Sequence, residues 1–341
     1  MESKKTLAQS ETEKPDKGNA SVIVDAAGIK KYYTMGNSFA GKRNKTLKAV
    51  NGVSLRVHEG EIFGVVGESG CGKSTLGRAL LRLFPLTEGR LLFEGKDLSS
   101  LGRRELKPYR PRMQMVFQNP YSSFDQRQRL GDALAEAGKV CGLSRENTDA
   151  RIKELMEVIR LPDEMLERRP QELSGGQLQR LAFARALLPA PRFIVADEPV
   201  SALDVSVQAQ ILNLIIDLKK QMKLTMLFIS HEMTVVEHIC DTIGVMYLGE
   251  IVEIAPAGEL FSHPAHPYTQ ALLSSIPKTH PDEEKERIVL SGELPSAIDL
   301  PKGCAFAGRC RYATAVCREK KPEAVKISPG HHAACHLYQA G

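Results

Sequence analysis

Long apolar runs are missing from this sequence. The best stretches, such as LTMLFIS, fall far short of the roughly 18 apolar residues that a membrane-spanning helix needs. The N-terminal residues 1–20 are polar, balanced in charge and without an apolar core, so they predict a solvated tail and not a signal peptide. We therefore expect a soluble chain that is not exported.

A strong excess of one charge is also missing. The 46 Lys and Arg residues against 41 Asp and Glu residues give a net charge of +5, spread along 341 residues. This excess is too dilute for a nucleic-acid-binding arm, and we predict no nucleic-acid partner. The length leaves room for one large α/β domain with an extra module, or for two domains of ordinary size.

Cysteine is sparse except near the C-terminus. Four of the seven cysteines follow one another there with the spacing C-x5-C-x6-C-x17-C: Cys304, Cys310, Cys317 and Cys335. In a reducing compartment, such a group indicates metal ligands or free thiols more than disulfides. The spacing is not the C-x2-C pairing of zinc ribbons, although His331, His332 and His336 flank the last cysteine and keep zinc open.

Two kinds of strand pattern predict the fold class. SVIVDAAGIKKYY and KAVNGVSLRV alternate apolar and polar residues, which is typical of half-buried antiparallel strands. EIFGVVG, RFIVAD and LTMLFIS are short, nearly continuous apolar runs separated by helical stretches, as in a parallel sheet buried on both faces. The predicted fold is therefore α/β, with a mixed core sheet and an antiparallel β subdomain.

Changes of pattern along the chain predict its domains. After the tail of residues 1–20, we assign residues 21–260 to one domain. Strand patterns disappear after Asn119, so we predict an inserted helical subdomain over about residues 119–180. Residues 261–341 are rich in turn residues and carry the four cysteines, which predicts a small C-terminal extension.

The stretch GESGCGKST has the sequence of a phosphate-binding loop. It follows the apolar strand EIFGVV and precedes the helix-like LGRALLRLF, which is the context that G-x-x-x-x-G-K-[ST] requires. Glycines let the backbone wrap around phosphate, while Lys73 adds a positive charge and Ser74 offers a hydroxyl to Mg²⁺. Cys71 is given no chemistry of its own. The predicted nucleotide contacts are Gly67, Glu68, Ser69, Gly70, Cys71, Gly72, Lys73, Ser74 and Thr75.

Two further strand ends carry candidate catalytic residues. FIVADEP ends in adjacent carboxylates, and ligands gather at the carboxyl ends of parallel strands. We predict that Asp197 holds Mg²⁺ through water and that Glu198 polarises the attacking water. FISHE places His231 where a neutral imidazole bonds the γ-phosphate. The alternatives are a solvated helix cap for the acids and a structural role for the histidine.

The stretch LSGGQ opens a helix with a Ser-Gly-Gly turn. Its amides form an anion site that has no lysine, so another chain is needed to complete it. LSGGQ resembles the signature of ABC-transporter ATPases, and the resemblance implies that four of its residues bind the partner's nucleotide: Ser174, Gly175, Gly176 and Gln177.

Other motifs of that family follow in order. Tyr33, or its neighbour Tyr32, resembles the aromatic residue that stacks on adenine. Gln118 in MVFQNP resembles the Q-loop glutamine, which contacts nucleotide and Mg²⁺, and SALD at Ser201–Asp204 resembles the D-loop. The resemblance implies the ABC ATPase form of the P-loop fold, with ATP and Mg²⁺ as ligands and two ATPase subunits meeting head to tail.

A closer resemblance is to the oligopeptide and dipeptide permease family. HPYTQALLSSIP resembles the stretch that follows the ATPase core in this family, and KGCAFAGRC resembles its cysteine-bearing C-terminus. The segment KAVNGVSLRVHEGEIFGVVGESGCGKSTLGRALLRL resembles the family's second, F-type ATPase subunit. This implies a peripheral protein on the cytoplasmic face of the inner membrane, acting with a second ATPase subunit, two permeases and a substrate-binding protein. It also implies a [4Fe-4S] cluster on Cys304, Cys310, Cys317 and Cys335, which we favour over zinc or free thiols.

Alternatives remain for the imported cargo and for the class of ABC ATPase. Relatives of this kind also import nickel, glutathione or other small solutes, and the ATPase does not touch the cargo. Translation and DNA-repair ABC ATPases are less favoured, because the chain has one cassette and no long coiled-coil insertion.

Overall fold

The computed structural model describes residues 21–35, 45–276, 288–290, 295–298 and 300–339. The predicted tail, residues 1–20, lies outside this part of the chain. The elements follow one another as β1 Val22–Met35, β2 Lys45–His58, β3 Ile62–Val66, α1 Lys73–Leu80, β4 Glu88–Phe93, β5 Lys96–Asp97, β6 Met113–Val116, α2 Leu130–Val140, α3 Arg145–Val158, α4 Gly175–Leu187, β7 Phe193–Asp197, α5 Val205–Met222, β8 Met226–Ile229, α6 Met233–Ile239, β9 Thr242–Tyr247, β10 Glu250–Pro256, α7 Ala257–Ser262, α8 Pro267–Ser274, α9 Ala315–Glu319, β11 Val325–Ser328 and β12 His331–Ala333.

A mixed sheet forms the centre of the molecule. Its strand order is β11-β12-β10-β9-β3-β8-β7-β6, and the strands from β9 to β6 are parallel. Every residue of β3, β7 and β8 is buried, because helices cover both faces of the parallel part. The α/β prediction from the three apolar runs is confirmed.

A second sheet is antiparallel, with the order β2-β1-β4-β5. Strand β1 pairs with both β2 and β4, and its buried apolar residues, among them Val24 and Ile29, lie in one core. The same core contains Leu76 and Leu80 of α1, so this sheet packs beside the helix that follows β3. The antiparallel subdomain predicted from the alternating segments is therefore present.

Helices fill the chain between β6 and β7, where the described residues contain no strand. Helix α3 begins at the capping residue Ser144, whose hydroxyl accepts the N–H of Asn147. Leu155 and Met156 of α3 are fully buried in the same core as Leu181 of α4. Helices thus lie where the sequence predicts the helical insertion, while the limits of that subdomain stay a prediction.

The C-terminal hairpin β11–β12 continues the central sheet. Strand β12 pairs with β10, with Glu253 opposite Ala333. The buried Glu253 carboxylate accepts the backbone N–H groups of Ala265 and His266 and lies 2.7 Å from Nε2 of the buried His331. The region predicted as an extension is therefore joined to the rest of the chain through shared backbone pairing and a buried polar network.

None of the helices in the described segments combines the length and the apolar character that crossing a membrane requires.

Candidate nucleotide site

The phosphate loop joins β3 to α1 and packs tightly on neighbouring backbone. Gly67 and Gly72 have φ angles of 154° and 108°, which side chains rarely allow. A Cβ atom at Gly67 would lie 2.1 Å from the Met246 carbonyl oxygen, and one at Gly72 would lie 2.1 Å from that of Ala49. Both positions therefore require glycine, and the loop leads directly into the N-terminus of α1, where backbone N–H groups favour anions.

Lys73 lies inside the loop. Its side chain is 4% exposed, and its ammonium donates to the carbonyl oxygens of Gly67 (2.8 Å) and Glu68 (3.0 Å). The same nitrogen is 3.9 Å from a carboxylate oxygen of Glu198 at the end of β7. The positive charge is thus placed between the loop and the acidic strand end.

Ser74 and Asp197 meet at the carboxyl end of β7. The Ser74 hydroxyl donates to Asp197 Oδ1 at 2.7 Å, and Arg78 Nη2 lies 3.7 Å from Oδ2. Burial raises the pKa of the Asp197 carboxyl above its ordinary value, although the Ser74 hydrogen bond and the Arg78 charge act in the opposite direction. Hydroxyl and carboxylate oxygens are ligands that Mg²⁺ prefers, so the pair fits the predicted ion.

Glu198 is the meeting point of three strand ends. Gln118, which follows β6, donates its amide to Glu198 Oε2 at 3.0 Å, and His231 Nδ1, after β8, is 3.4 Å from the same oxygen. Glu198 has a left-handed φ of 46°, and its N–H donates to the Ile229 carbonyl at 3.0 Å. A non-glycine residue in that conformation is strained, which is common at functional sites.

One cavity of about 310 Å³ adjoins these groups. Of the two tyrosines predicted for the adenine side, Tyr33 lines this cavity, whereas Tyr32 does not and its hydroxyl donates to Asn51 at 2.6 Å. Gly67 and Glu68 are not among its lining residues. The predicted residues that do line it are Tyr33, Ser69, Gly70, Cys71, Gly72, Lys73, Ser74, Thr75, Gln118 and Glu198.

The signature turn is built differently and lies elsewhere. Ser174 caps α4 by accepting the N–H of Gln177, and Gln177 accepts the N–H of Ser174 in return. A Cβ atom at Gly176 would lie 2.2 Å from a Val207 methyl, so α5 packs directly on the turn, whereas one at Gly175 would meet only Leu203, at 3.3 Å. None of these four predicted residues lines the cavity at the phosphate loop.

Comparison with known proteins identifies the family of this chain. Residues 50–201 match the model of the ABC transporter family, and residues 252–317 match that of the oligopeptide/dipeptide transporter C-terminal region. The oligopeptide transport ATP-binding protein AppF of Bacillus subtilis is 46% identical over 94% of this chain and 98% of its own length. The chain belongs to the oligopeptide/dipeptide transporter family of ABC ATPases.

Further relatives agree with this membership. The di/tripeptide transport ATP-binding protein DppF of Pseudomonas aeruginosa is 44% identical, over 92% of this chain and 97% of its own length. The cassette MJ0796, solved as a dimer with ADP and Pi, superposes with a TM-score of 0.60 at 26% identity, covering 69% of this chain and 98% of that one. Membership implies that this ABC ATPase binds ATP and Mg²⁺ and hydrolyses ATP. It also implies that the chain dimerises with an ATPase subunit and acts together with membrane permeases.

The four C-terminal cysteines of this ABC ATPase surround one small cavity of about 100 Å³. Burial raises the pKa of the Cys310 and Cys335 thiols and brings that of Cys304 to about 11. Within the part of the chain that the structure describes, no group of three or more His, Cys, Asp or Glu side chains is arranged to hold a metal ion. The structure thus gathers the four thiols without forming a compact ion site.

Sequence reasoning missed the contacts between this cysteine region and the phosphate loop. Arg309 makes a double hydrogen bond to the Glu68 carboxylate, at 2.9 and 3.1 Å, and the Glu68 N–H donates to Tyr268 Oη at 2.9 Å. Lys48 and Ala297, also unpredicted, line the nucleotide cavity. An arginine 241 positions away from a glutamate carries no pattern that could have revealed their pairing.

Proposed function

We propose that this ABC ATPase hydrolyses ATP at the Lys73–Glu198 site to power the import of peptides. The observation that carries the proposal is the convergence of Lys73, Gln118, Glu198 and His231 beside one cavity. The peptide cargo is supported by the matched C-terminal family region and by relatives named for oligopeptide and di/tripeptide transport. Nickel, glutathione and other small solutes are the alternative cargoes.

In the proposed mechanism, Glu198 is the general base. Its carboxylate accepts from Gln118 and lies beside Lys73 and His231, so it is oriented to take a proton from water at the cavity. Lys73 and the loop amides balance phosphate charge, and His231 bonds the γ-phosphate. When bound, Mg²⁺ neutralises phosphate charge, and Ser74, Asp197 and Gln118 are the residues that we assign to it.

We assign the signature turn to a second ATPase subunit's site. Ser174, Gly175, Gly176 and Gln177 lie at the N-terminus of α4, where backbone N–H groups favour anions, yet they do not line this chain's own cavity. The cassette MJ0796, whose structure is dimeric and bound to ADP and Pi, supports a dimer, and we propose that its two subunits meet head to tail in this family. In the head-to-tail dimer that we propose, each nucleotide lies between one phosphate loop and the other subunit's signature.

The assembly that we propose places this chain on the cytoplasmic face of the inner membrane. Its partners there are a second, different ATPase subunit and two permeases, and a substrate-binding protein delivers the peptide. Support comes from the family to which the chain belongs. Within the chain, we propose residues 21–260 as the ATPase domain, about 119–180 as its helical insertion and 261–341 as the extension.

We further propose that the four cysteines hold a [4Fe-4S] cluster. Such a cluster takes one thiolate per iron, so its ligands are spread more widely than the four that must reach a single zinc ion. Cys304, Cys310, Cys317 and Cys335 line one cavity, and this supports a cluster better than zinc. Anaerobically purified protein should be brown, with about four iron and four sulfide per chain. Colour lost in Cys310→Ser but kept in Cys141→Ser supports the assignment, and a colourless protein with one zinc ion contradicts it.

The function is tested by Glu198→Gln. The neutral amide keeps the size of the side chain but cannot accept a proton, so we expect retained ATP binding and a loss of hydrolysis of at least about 100-fold. Glu237→Gln, an exposed change of the same kind on α6, is the control. Rates are measured in membranes with the co-expressed transporter subunits and with peptide, nickel or glutathione added. A wild-type rate of ATP hydrolysis in Glu198→Gln would contradict the assignment of Glu198 as the general base.

A further inference from the structure

Glu68, in the phosphate loop, is held at three points. Its carbonyl oxygen accepts from the Lys73 ammonium at 3.0 Å. Its N–H donates to the Tyr268 hydroxyl at 2.9 Å, and its carboxylate receives two hydrogen bonds from Arg309. Glu68 does not line the nucleotide cavity, but its backbone contacts Lys73, which does.

Two of these three contacts are made by residues of the C-terminal region. Tyr268 is in α8 and Arg309 lies in the segment between Cys304 and Cys310. Phe306 of that segment is buried against Tyr268 and Tyr247, with ring centroids 5.4 and 5.3 Å away. This aromatic packing fixes the segment from which the Arg309 side chain reaches the loop.

A second contact joins the same region to the nucleotide cavity. The Ala297 carbonyl accepts the N–H of Lys48 at 3.1 Å, and both residues line the cavity that Tyr33 and Lys73 also line. The C-terminal region thus meets the nucleotide site on the side of the loop and on the side of β2.

We propose that Arg309 and Glu68 are positioning residues that let the C-terminal cysteine region set the affinity of the phosphate loop for ATP. The planar guanidinium makes two charge-assisted hydrogen bonds, so the pair is directional, and both side chains are partly buried, with 10% of Arg309 and 27% of Glu68 exposed. Through the Glu68 backbone, this geometry fixes where the Lys73 ammonium stands. The inference rests on the proposed ATP site.

The test compares variants of the full-length chain. Arg309→Ala frees Glu68 and the loop, so we expect about tenfold weaker binding of a fluorescent ATP analogue, the size of losing one charge-assisted contact. In the assembled transporter, the KM for ATP rises by a similar factor while kcat stays within about twofold. Arg311→Ala removes the same charge two positions away, where the side chain stacks on Tyr312 instead of bonding the phosphate loop, and leaves both constants unchanged.

Coupling is tested by a double-mutant cycle. Glu68→Ala should weaken nucleotide binding as Arg309→Ala does. The double variant should bind nucleotide no more weakly than either single variant, because both substitutions remove the same interaction. Arg309→Lys keeps the charge but cannot form the paired hydrogen bonds, so we expect an intermediate loss of nucleotide affinity. This variant provides the test if the alanine variant does not fold.

The outcomes separate this inference from the proposed function. The inference is overturned if folded Arg309→Ala binds nucleotide with wild-type affinity, or if the effects of the two single variants are additive in the double variant. Either result leaves the proposed ATPase site unaffected. A purely structural role would lower the melting temperature without changing the KM of the folded protein, and that result also overturns it. A wild-type chain that does not bind ATP at all contradicts the proposed function instead.

Discussion

Gly176 in the signature turn illustrates how tightly single residues are constrained here. Its Cα faces a Val207 methyl so closely that an added Cβ would lie 2.2 Å away. Valine is stiff about χ1, so the clash in Gly176→Ala must be relieved by moving α4 or α5, at a cost of about 1–3 kcal/mol in the free energy of unfolding. Urea unfolding of the purified chain measures this loss.

The same clash defines its controls. Gly175→Ala meets only a flexible Leu203 methyl at 3.3 Å, so its free energy of unfolding should stay close to that of the wild type. Val207→Ala provides room, so adding Gly176→Ala to it should cost little further stability. A Gly176→Ala chain as stable as the wild type contradicts this account of the turn.

At this scale, the sequence predicts contacts that lie within one motif or at neighbouring strand ends. Gln118, Glu198 and His231 come together as expected, because the carboxyl ends of parallel strands share one edge of the sheet. The link between Arg309 and Glu68 could not be predicted, since it depends on how the C-terminal region folds back over the loop. That path is decided by packing among aromatic residues and not by spacing.

Helix α8 depends on a buried histidine at its N-terminus. His266 is 1% exposed, and its Nδ1 accepts the N–H of Tyr268 as a cap. Burial lowers the pKa of His266 to about 3. Between about pH 6.5 and pH 3, the unfolded chain therefore binds a proton that the folded chain does not, and stability falls as the pH falls.

His266→Asn keeps a capping acceptor but removes this titration. From about pH 7 to about pH 5, the wild type should lose about 2 kcal/mol more free energy of unfolding than the variant does. Urea titrations at each pH measure the difference, and His238→Asn, at an exposed site on α6, is the control. Parallel pH profiles for the wild type and His266→Asn would show that the buried imidazole does not control acid stability.

The elements differ in how well the sequence predicts them. The long alternating strands β1 and β2 and the apolar runs of β3, β7 and β8 carry enough residues to show their period. Strands β11 and β12 have four and three residues, too few for a pattern. Their place in the central sheet depends on pairing with β10 and on the His331–Glu253 contact across 78 positions.

At the scale of the whole assembly, the phosphate loop and the signature turn of one chain are proposed to serve two different nucleotides. Lys73→Ala changes this chain's own site, whereas Ser174→Arg places a bulky cation on the turn that completes the partner's site. In the assembled transporter, a photoreactive ATP analogue should label this chain about tenfold less in Lys73→Ala and normally in Ser174→Arg, although both variants reduce overall ATP turnover.

Label on the second ATPase subunit provides the matching measurement. Head-to-tail assembly predicts that Ser174→Arg lowers its labelling and that Lys73→Ala affects it much less, because Ser174 caps α4 outside the cavity that Lys73 lines. Co-purification of all subunits with both variants shows that assembly itself is intact. If Ser174→Arg instead removes label from its own chain alone, the signature turn serves the nucleotide of the same subunit, and the arrangement proposed for the dimer is wrong.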